Sequence, residues 1–310
     1  MSESGSSLKA VLFALGANGA IALSKFGAAA YTGSGAMLAE AIHSSADCAN
    51  QLLLLLGMRE SRRPETADHP LGHHRAAYFY ALLVALLLFF LGGAFSVVEG
   101  VERVLHPGPL HDPWIAICVL GIGTALEGFS LWGALNEIRK TRGTKSLMRW
   151  FRETRESELL VVAGEDIAAL LGLALAFVAV VLSMLTGNPI FDAMGSIVVG
   201  VLLIVVATMV MREVKAMIVG ESASPEVHAA ILAHLHARPE VEQVVRLITL
   251  QWGEKLVVAV QAAMSPQGGE HELVVAINRV EQSLQDTFPQ ARWVFFEPEI
   301  KRPDPWPLAE

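Results

Sequence analysis

Residues 36–57, AMLAEAIHSSADCANQLLLLLG, decide how this chain is read. The stretch is long and apolar enough for a membrane-spanning helix, yet it carries Glu40, His43 and Asp47. His43 and Asp47 are four residues apart, about one helical turn, so their side chains share a face. Glu40 lengthens that face into one stripe at i, i+3 and i+7. Charges at membrane depth are costly, roughly 2.5–3.5 kcal/mol each on an insertion scale, and such residues usually mark an ion path or a binding site. A divalent cation is the simplest partner that accepts one imidazole and one carboxylate together. The competing reading has these groups only hydrogen-bonding neighbouring helices, and their cost in lipid disfavours it. Glu40 lies nearer the outer end and is expected to be interfacial.

Working outward, the apolar pattern predicts six spans: 8–31, 36–58, 77–104, 113–137, 157–185 and 189–211. Breaker-rich turns, TGSG at 32–35 and TGNP at 186–189, separate two of the pairs. Arg59, Arg62, Arg63 and Arg75 follow the second span, and Arg139, Lys140, Arg142, Lys145, Arg149, Arg152 and Arg155 follow the fourth. Basic loops stay cytoplasmic, so both termini are expected in the cytoplasm. No cleaved signal peptide is expected at MSESGSSLKAVLF. We therefore expect a multi-pass protein of the bacterial inner membrane, in contact with lipid.

The composition fits: 53% of the 310 residues are hydrophobic and 17% charged. A net charge of −8 does not suggest nucleic-acid binding. Cys48 and Cys118 form no CxxC pair and read as packed thiols.

After about residue 215 the pattern changes. EVHAAILAHLHARPEVEQ reads as a helix, VVRLITLQWGEKLVVAVQAAMS as two strands around a WGEK turn, EHELVVAINRVEQSLQDTF as an amphipathic helix and ARWVFFEPE as a strand. The expected fold class is thus membrane α-helical: a six-helix transmembrane domain over 1–215, then a cytoplasmic α+β, ferredoxin-like domain over 216–310.

Three further groups of residues bear on chemistry. Span five brings Glu165 and Asp166, which point about 100° apart on a helix, so both cannot serve one site equally. Asp166 is the expected ligand and Glu165 a secondary one. With His43 and Asp47 this makes two carboxylates and one imidazole, which would hold a divalent ion and leave a coordination place open. Asp68, His69 and His73 form a secondary cluster in the loop before span three, against a bland reading as a loop–helix junction. Glu127 and Asp192 are further intramembrane acids, and Asp192 is expected near an interface. No HExxH occurs, which disfavours an intramembrane metalloprotease, and no enzyme is expected.

Together these features resemble the cation diffusion facilitators, and TGSGAMLAEAIHSSAD and RRPETADHPLGHHRAAYFY are similar to the zinc-transporter-nine branch. The resemblance implies a homodimeric divalent metal/proton antiporter that carries Zn²⁺ outward and H⁺ inward, with no cofactor. It implies that His69 and His73 ligate a loop zinc, with Asp68 shifted from the usual acidic run. Val162 stands where many members carry a second histidine, four residues before Asp166. Water, Glu165, Asn18 or Glu40 would then complete the site, and an oxygen-rich set admits Mn²⁺, Fe²⁺, Co²⁺ or Cd²⁺. Phe295 and Gln261 stand at C-terminal positions where relatives carry metal ligands, so that domain is expected to dimerise without a strong metal requirement. A non-transporting metal-sensing receptor or scaffold is the alternative.

Overall fold

The computed structural model describes residues 19–108, 112–142, 146, 157–266 and 268–300. The chain divides into two compact units: one holds most of the helices, and the other gathers Glu60–Tyr78 with the chain from Ala216 onward.

The helical unit contains α1 (19–32), α2 (Gly35–Ser61), α3 (Ala76–Leu105), α4 (Pro113–Arg142), α5 (Ser157–Thr186) and α6 (Ile190–Val219). Its core is built largely from small residues. Ala28, Ala36, Leu88, Ala116, Ala168, Leu173, Val199 and Ala207, drawn from all six helices, are buried together. The outward faces carry large apolar side chains in the open, among them Val98, Ile122, Phe129, Trp132, Leu185 and Val205. That inside-out distribution is what lipid contact requires.

Among the described residues three helical stretches are long and apolar enough to cross a membrane: Ala76–Leu105, Ile167–Thr186 and Ile190–Val219. α2 is long enough at 27 residues. Its polar stripe lowers its hydropathy, so the stretch that decides the fold is not among the three.

α3 and α6 meet backbone to backbone. A Cβ on Gly93 would lie 2.6 Å from Ile204 Cγ1, and one on Gly200 would lie 2.7 Å from the Gly93 carbonyl oxygen. Small residues permit this approach where lipid offers no hydrophobic drive between helices. α3 also carries a π-helical segment, Leu88–Ala94, which its apolar sequence does not announce.

The second unit contains α7 (Pro225–His236), β1 (Val241–Trp252), β2 (Lys255–Met264), α8 (Glu270–Thr287) and β3 (Ala291–Glu299). The strands lie in the order β1-β2-β3, antiparallel then parallel, with α8 as the crossover that parallel pairing needs. Trp252 pairs with Lys255 across a two-residue turn in which Gly253 takes φ +65°. Alternate β2 residues Leu256, Val258, Val260 and Ala262 pack with Ile231 and Leu235 of α7 and Val280 and Leu284 of α8. α7 is shorter than its sequence pattern suggests. Pro239 follows the helix end by three residues, and Val241–Gln243 join β1.

Candidate functional site

The polar face of α2 lies inside the helical unit. His43 is 1% exposed, and neither ring nitrogen has a hydrogen-bond partner. Its Nδ1 lies 3.5 Å from Asp47 Oδ1, an oxygen that also lacks a hydrogen bond. A Cβ on Gly92 of the π-helical segment would lie 3.9 Å from the same Nδ1, so that segment faces the imidazole. π-bulges recur at functional sites because the added residue displaces the local backbone. An imidazole usually has at least one nitrogen satisfied when buried. Here an imidazole and a carboxyl oxygen stand side by side and uncommitted, which is the donor chemistry of a transition-metal ion.

Glu40, expected to be only interfacial, packs between helices and not on an open face. It is fully buried and accepts from Lys25 Nζ at 3.4 Å, and the same ammonium donates to Ser44 Oγ at 2.7 Å. Lys25, on α1, was missed by motif reasoning. The available signal was a cation within the first apolar span, in ALSKFGA.

Glu165 and Asp166 both fall on α5, but their side chains lie outside those the structure describes. The helix course still fixes their level. A Cβ on Gly172 of α5 would lie 2.9 Å from Glu40 Oε1, and Gly195 of α6 meets both Ala179 of α5 and Ala36 of α2. Moving from Glu40 to Ala36 on α2 therefore corresponds to moving from Gly172 towards Ala179 on α5, so the helices run antiparallel. Asp166, six residues or about 9 Å before Gly172, falls at the level of His43 and Asp47. Asn18 and the basic residues Lys145, Arg149, Arg152 and Arg155 lie outside the described residues.

Asp192, in the first turn of α6, is 2% exposed. Its carboxylate accepts from Ser34 Oγ and Gly35 N, both at 2.6 Å, and so caps the start of α2. Arg103 donates to the Gly33 carbonyl and to Glu99, fixing the same turn.

In the second unit His69 and His73 stack at 4.1 Å between ring centroids, and His73 Nδ1 is buried without a hydrogen bond. Asp68 is exposed beside them. Among the described residues no group of three or more His, Cys, Asp or Glu converges to hold a metal. The same loop docks on the β1–β2 turn: Arg75 covers the Trp252 ring at 3.9 Å, Trp252 donates to the Leu71 carbonyl, and Tyr78 bonds Gly253. Burial, then the nearby Lys255, holds the His74 imidazole below its ordinary value. On α7, His228 bonds Thr249 at 3.0 Å and His234 bonds Ser283 at 2.9 Å. Cys48 and Cys118 are both free.

A helical unit with apolar flanks and a buried imidazole–carboxylate pair defines a membrane protein that handles cations. The chain belongs to the cation efflux family, whose transmembrane domain matches residues 11–219. It is similar to the mitochondrial proton-coupled zinc antiporter SLC30A9 of Xenopus laevis, with 35% identity over 238 residues, 76% of this chain and 43% of that protein. The Homo sapiens protein of that name shows 34% identity over 238 residues, 76% and 42%. Metal tolerance protein C4 of Arabidopsis thaliana shows 33% identity over 231 residues, 74% and 50%. The match thus spans half or less of these relatives' own lengths.

Proposed function

We propose that this chain exports a divalent metal ion, Zn²⁺ first, from the cytoplasm in exchange for protons. It does so by transport rather than by catalysis, and no cofactor takes part. His43 and Asp47 of α2 and Asp166 of α5 hold the ion, with Glu165 as the secondary carboxylate. The observation that carries this reading is the His43 imidazole, buried with both nitrogens unpartnered and 3.5 Å from an unbonded Asp47 oxygen. Leaving a buried polar group unpaired costs about 1–3 kcal/mol, and a cation is the partner that would remove this cost. The names of the animal relatives, proton-coupled zinc antiporters, support the same substrate pair.

Ligands must be deprotonated to hold a metal, so protons and Zn²⁺ compete for one site. Histidine is the side chain most used for proton exchange, and His43 is the proposed proton acceptor. Rocking of one group of helices against another would expose the site to each side in turn. The imidazole favours Zn²⁺, while the surrounding oxygens admit Mn²⁺, Fe²⁺, Co²⁺ or Cd²⁺ as competitors.

The finer architecture belongs to the same reading. α1–α6 form six crossings with both termini cytoplasmic, and residues 1–215 are the transport domain. Residues 216–310 form a cytoplasmic ferredoxin-like domain through which two copies associate. The exposed Ile248 and Phe295, on the sheet face turned from α7 and α8, support a second copy there. His69 and His73, whose rings lie 4.1 Å apart, are the pair that would offer a secondary loop zinc its ligands, with Asp68 nearby in sequence. The housing membrane is a proton-energised one, the bacterial inner membrane.

The test is metal uptake into everted vesicles under an imposed pH gradient. Asp47→Ala is expected to reduce zinc uptake by about 10–100-fold or more, the loss that even supporting residues of a metal site produce. Uptake at the wild-type rate would remove Asp47 from the site. Conductance without proton coupling would make the protein a channel, and no zinc-dependent flux at all would favour a scaffold.

A further inference from the structure

We propose that Lys25 is a specificity-determining residue of the transport site: its ammonium holds the Glu40 carboxylate as a counter-charge and keeps it from becoming a metal ligand. The proposal rests on the reading of His43 and Asp47 as ligands.

Four helices build the arrangement. Lys25 of α1 is 1% exposed and reaches two groups on α2, Ser44 Oγ at 2.7 Å and Glu40 Oε2 at 3.4 Å. Its stem passes α4 at Gly123, where a Cβ would lie 3.5 Å from Lys25 Cε. On the far side, Gly172 of α5 lets Glu40 Oε1 approach the helix backbone, and that oxygen has no hydrogen bond. The carboxylate is thus confined between one ammonium and a glycine, with one oxygen uncommitted.

An ion pair at this depth is a poor choice for stability alone, because apolar residues of the same volume usually do as well or better. Its position gives it another role. Glu40 lies three residues from His43 on the same stripe of α2. An uncompensated carboxylate there would add an oxygen donor to the ion. The ion would bind more tightly, leave more slowly, and be chosen more for hardness, which favours Mn²⁺ over Zn²⁺. With Lys25 in place the pair is self-neutral. His43 then remains the nitrogen donor beside the two aspartates, a set whose charge matches one divalent ion.

The experiment uses the full chain in liposomes, with Zn²⁺ and Mn²⁺ each presented alone, alongside binding titrations of the purified protein and its metal-free melting temperature. Lys25→Met is expected to lower the KM for Mn²⁺ relative to Zn²⁺ by about tenfold, because the released Glu40 carboxylate adds an oxygen donor that suits the harder ion better. Maximal rates fall at the same time. Adding Glu40→Gln to Lys25→Met is expected to restore the wild-type Mn²⁺/Zn²⁺ ratio. A parallel change for both ions, or no rescue by the second substitution, overturns the proposal and leaves the pair purely structural.

Where Lys25→Met alone fails to fold, Glu40→Gln and the double variant read the same coupling. The unbalanced ammonium of Glu40→Gln should weaken both ions, and removing it should restore them; equal affinities in the two variants overturn the proposal. Wild-type protein that takes up neither ion would instead sink the antiport reading, and is recognised as such before any variant is compared.

Discussion

Thr249 in the C-terminal sheet and His43 in the helical unit are both buried polar side chains, and they are treated in opposite ways. Thr249 Oγ1 meets Ser222 Oγ at 2.7 Å, the Ala223 amide at 3.3 Å and His228 Nδ1 at 3.0 Å. His43, equally inaccessible, has no hydrogen-bond partner on either nitrogen. The sheet unit uses this polar group to join α7 to β1 over an apolar core, with its hydroxyl fully engaged. The helical unit leaves donor atoms uncommitted on one stripe, as a site that must take up and give back a ligand requires. Stability and function therefore reside in different side chains, and substitutions should separate them.

The largest effect on stability is expected in the sheet unit. Leu284→Ala removes a fully buried side chain shared by α8 and β2 and should cost about 2–5 kcal/mol. Thermal melting of the full chain would register it, while zinc affinity should stay at the wild-type value. Next comes the α3–α6 crossing. Gly200→Val would drive a side chain into the Gly93 carbonyl and should cost about 1–3 kcal/mol through overpacking, read as a lower melting temperature in detergent.

His43→Leu addresses the comparison from the other side. Replacing an unpartnered imidazole with an apolar group should leave metal-free stability within about 1 kcal/mol of wild type, or raise it. A loss as large as that of Leu284→Ala would mean that His43 is structural after all.

The smallest effect concerns pH. Burial, then Arg238, holds the His234 imidazole below its ordinary value of 6.5. The folded form thus binds protons less readily than the unfolded chain. Its contribution to stability is present above the ordinary value and is lost as pH falls through 6.5 towards the folded value. His234→Gln should flatten the melting temperature over that window, and an unchanged pH profile would show that the ring is as free to protonate as in the unfolded chain.

Much of this was legible in sequence because the relevant signals are local. The spacing of His43 and Asp47 needs only a helix, and the order helix–strand–strand–helix–strand needs only periodicity and a WGEK turn. What could not be read depends on which helix meets which. The partner of Glu40 is Lys25, fifteen residues earlier on another helix, and apolar periodicity carries no information about such pairing. Asp192 lies at a helix end, as its place beside the TGNP turn suggested, but the group it binds there, the start of α2, is 157 residues away in sequence. The π-helical segment at Leu88–Ala94 went unseen because LFFLGGA is equally compatible with regular helix.

The central claim is that His43 is a metal ligand rather than a packed side chain. The measurement that bears on it most directly is a zinc titration of the purified full-length protein beside its His43→Leu variant, each with its metal-free melting temperature. We predict a zinc site in the wild type that the variant loses while melting is preserved. Equal zinc affinity in the two proteins would contradict the account.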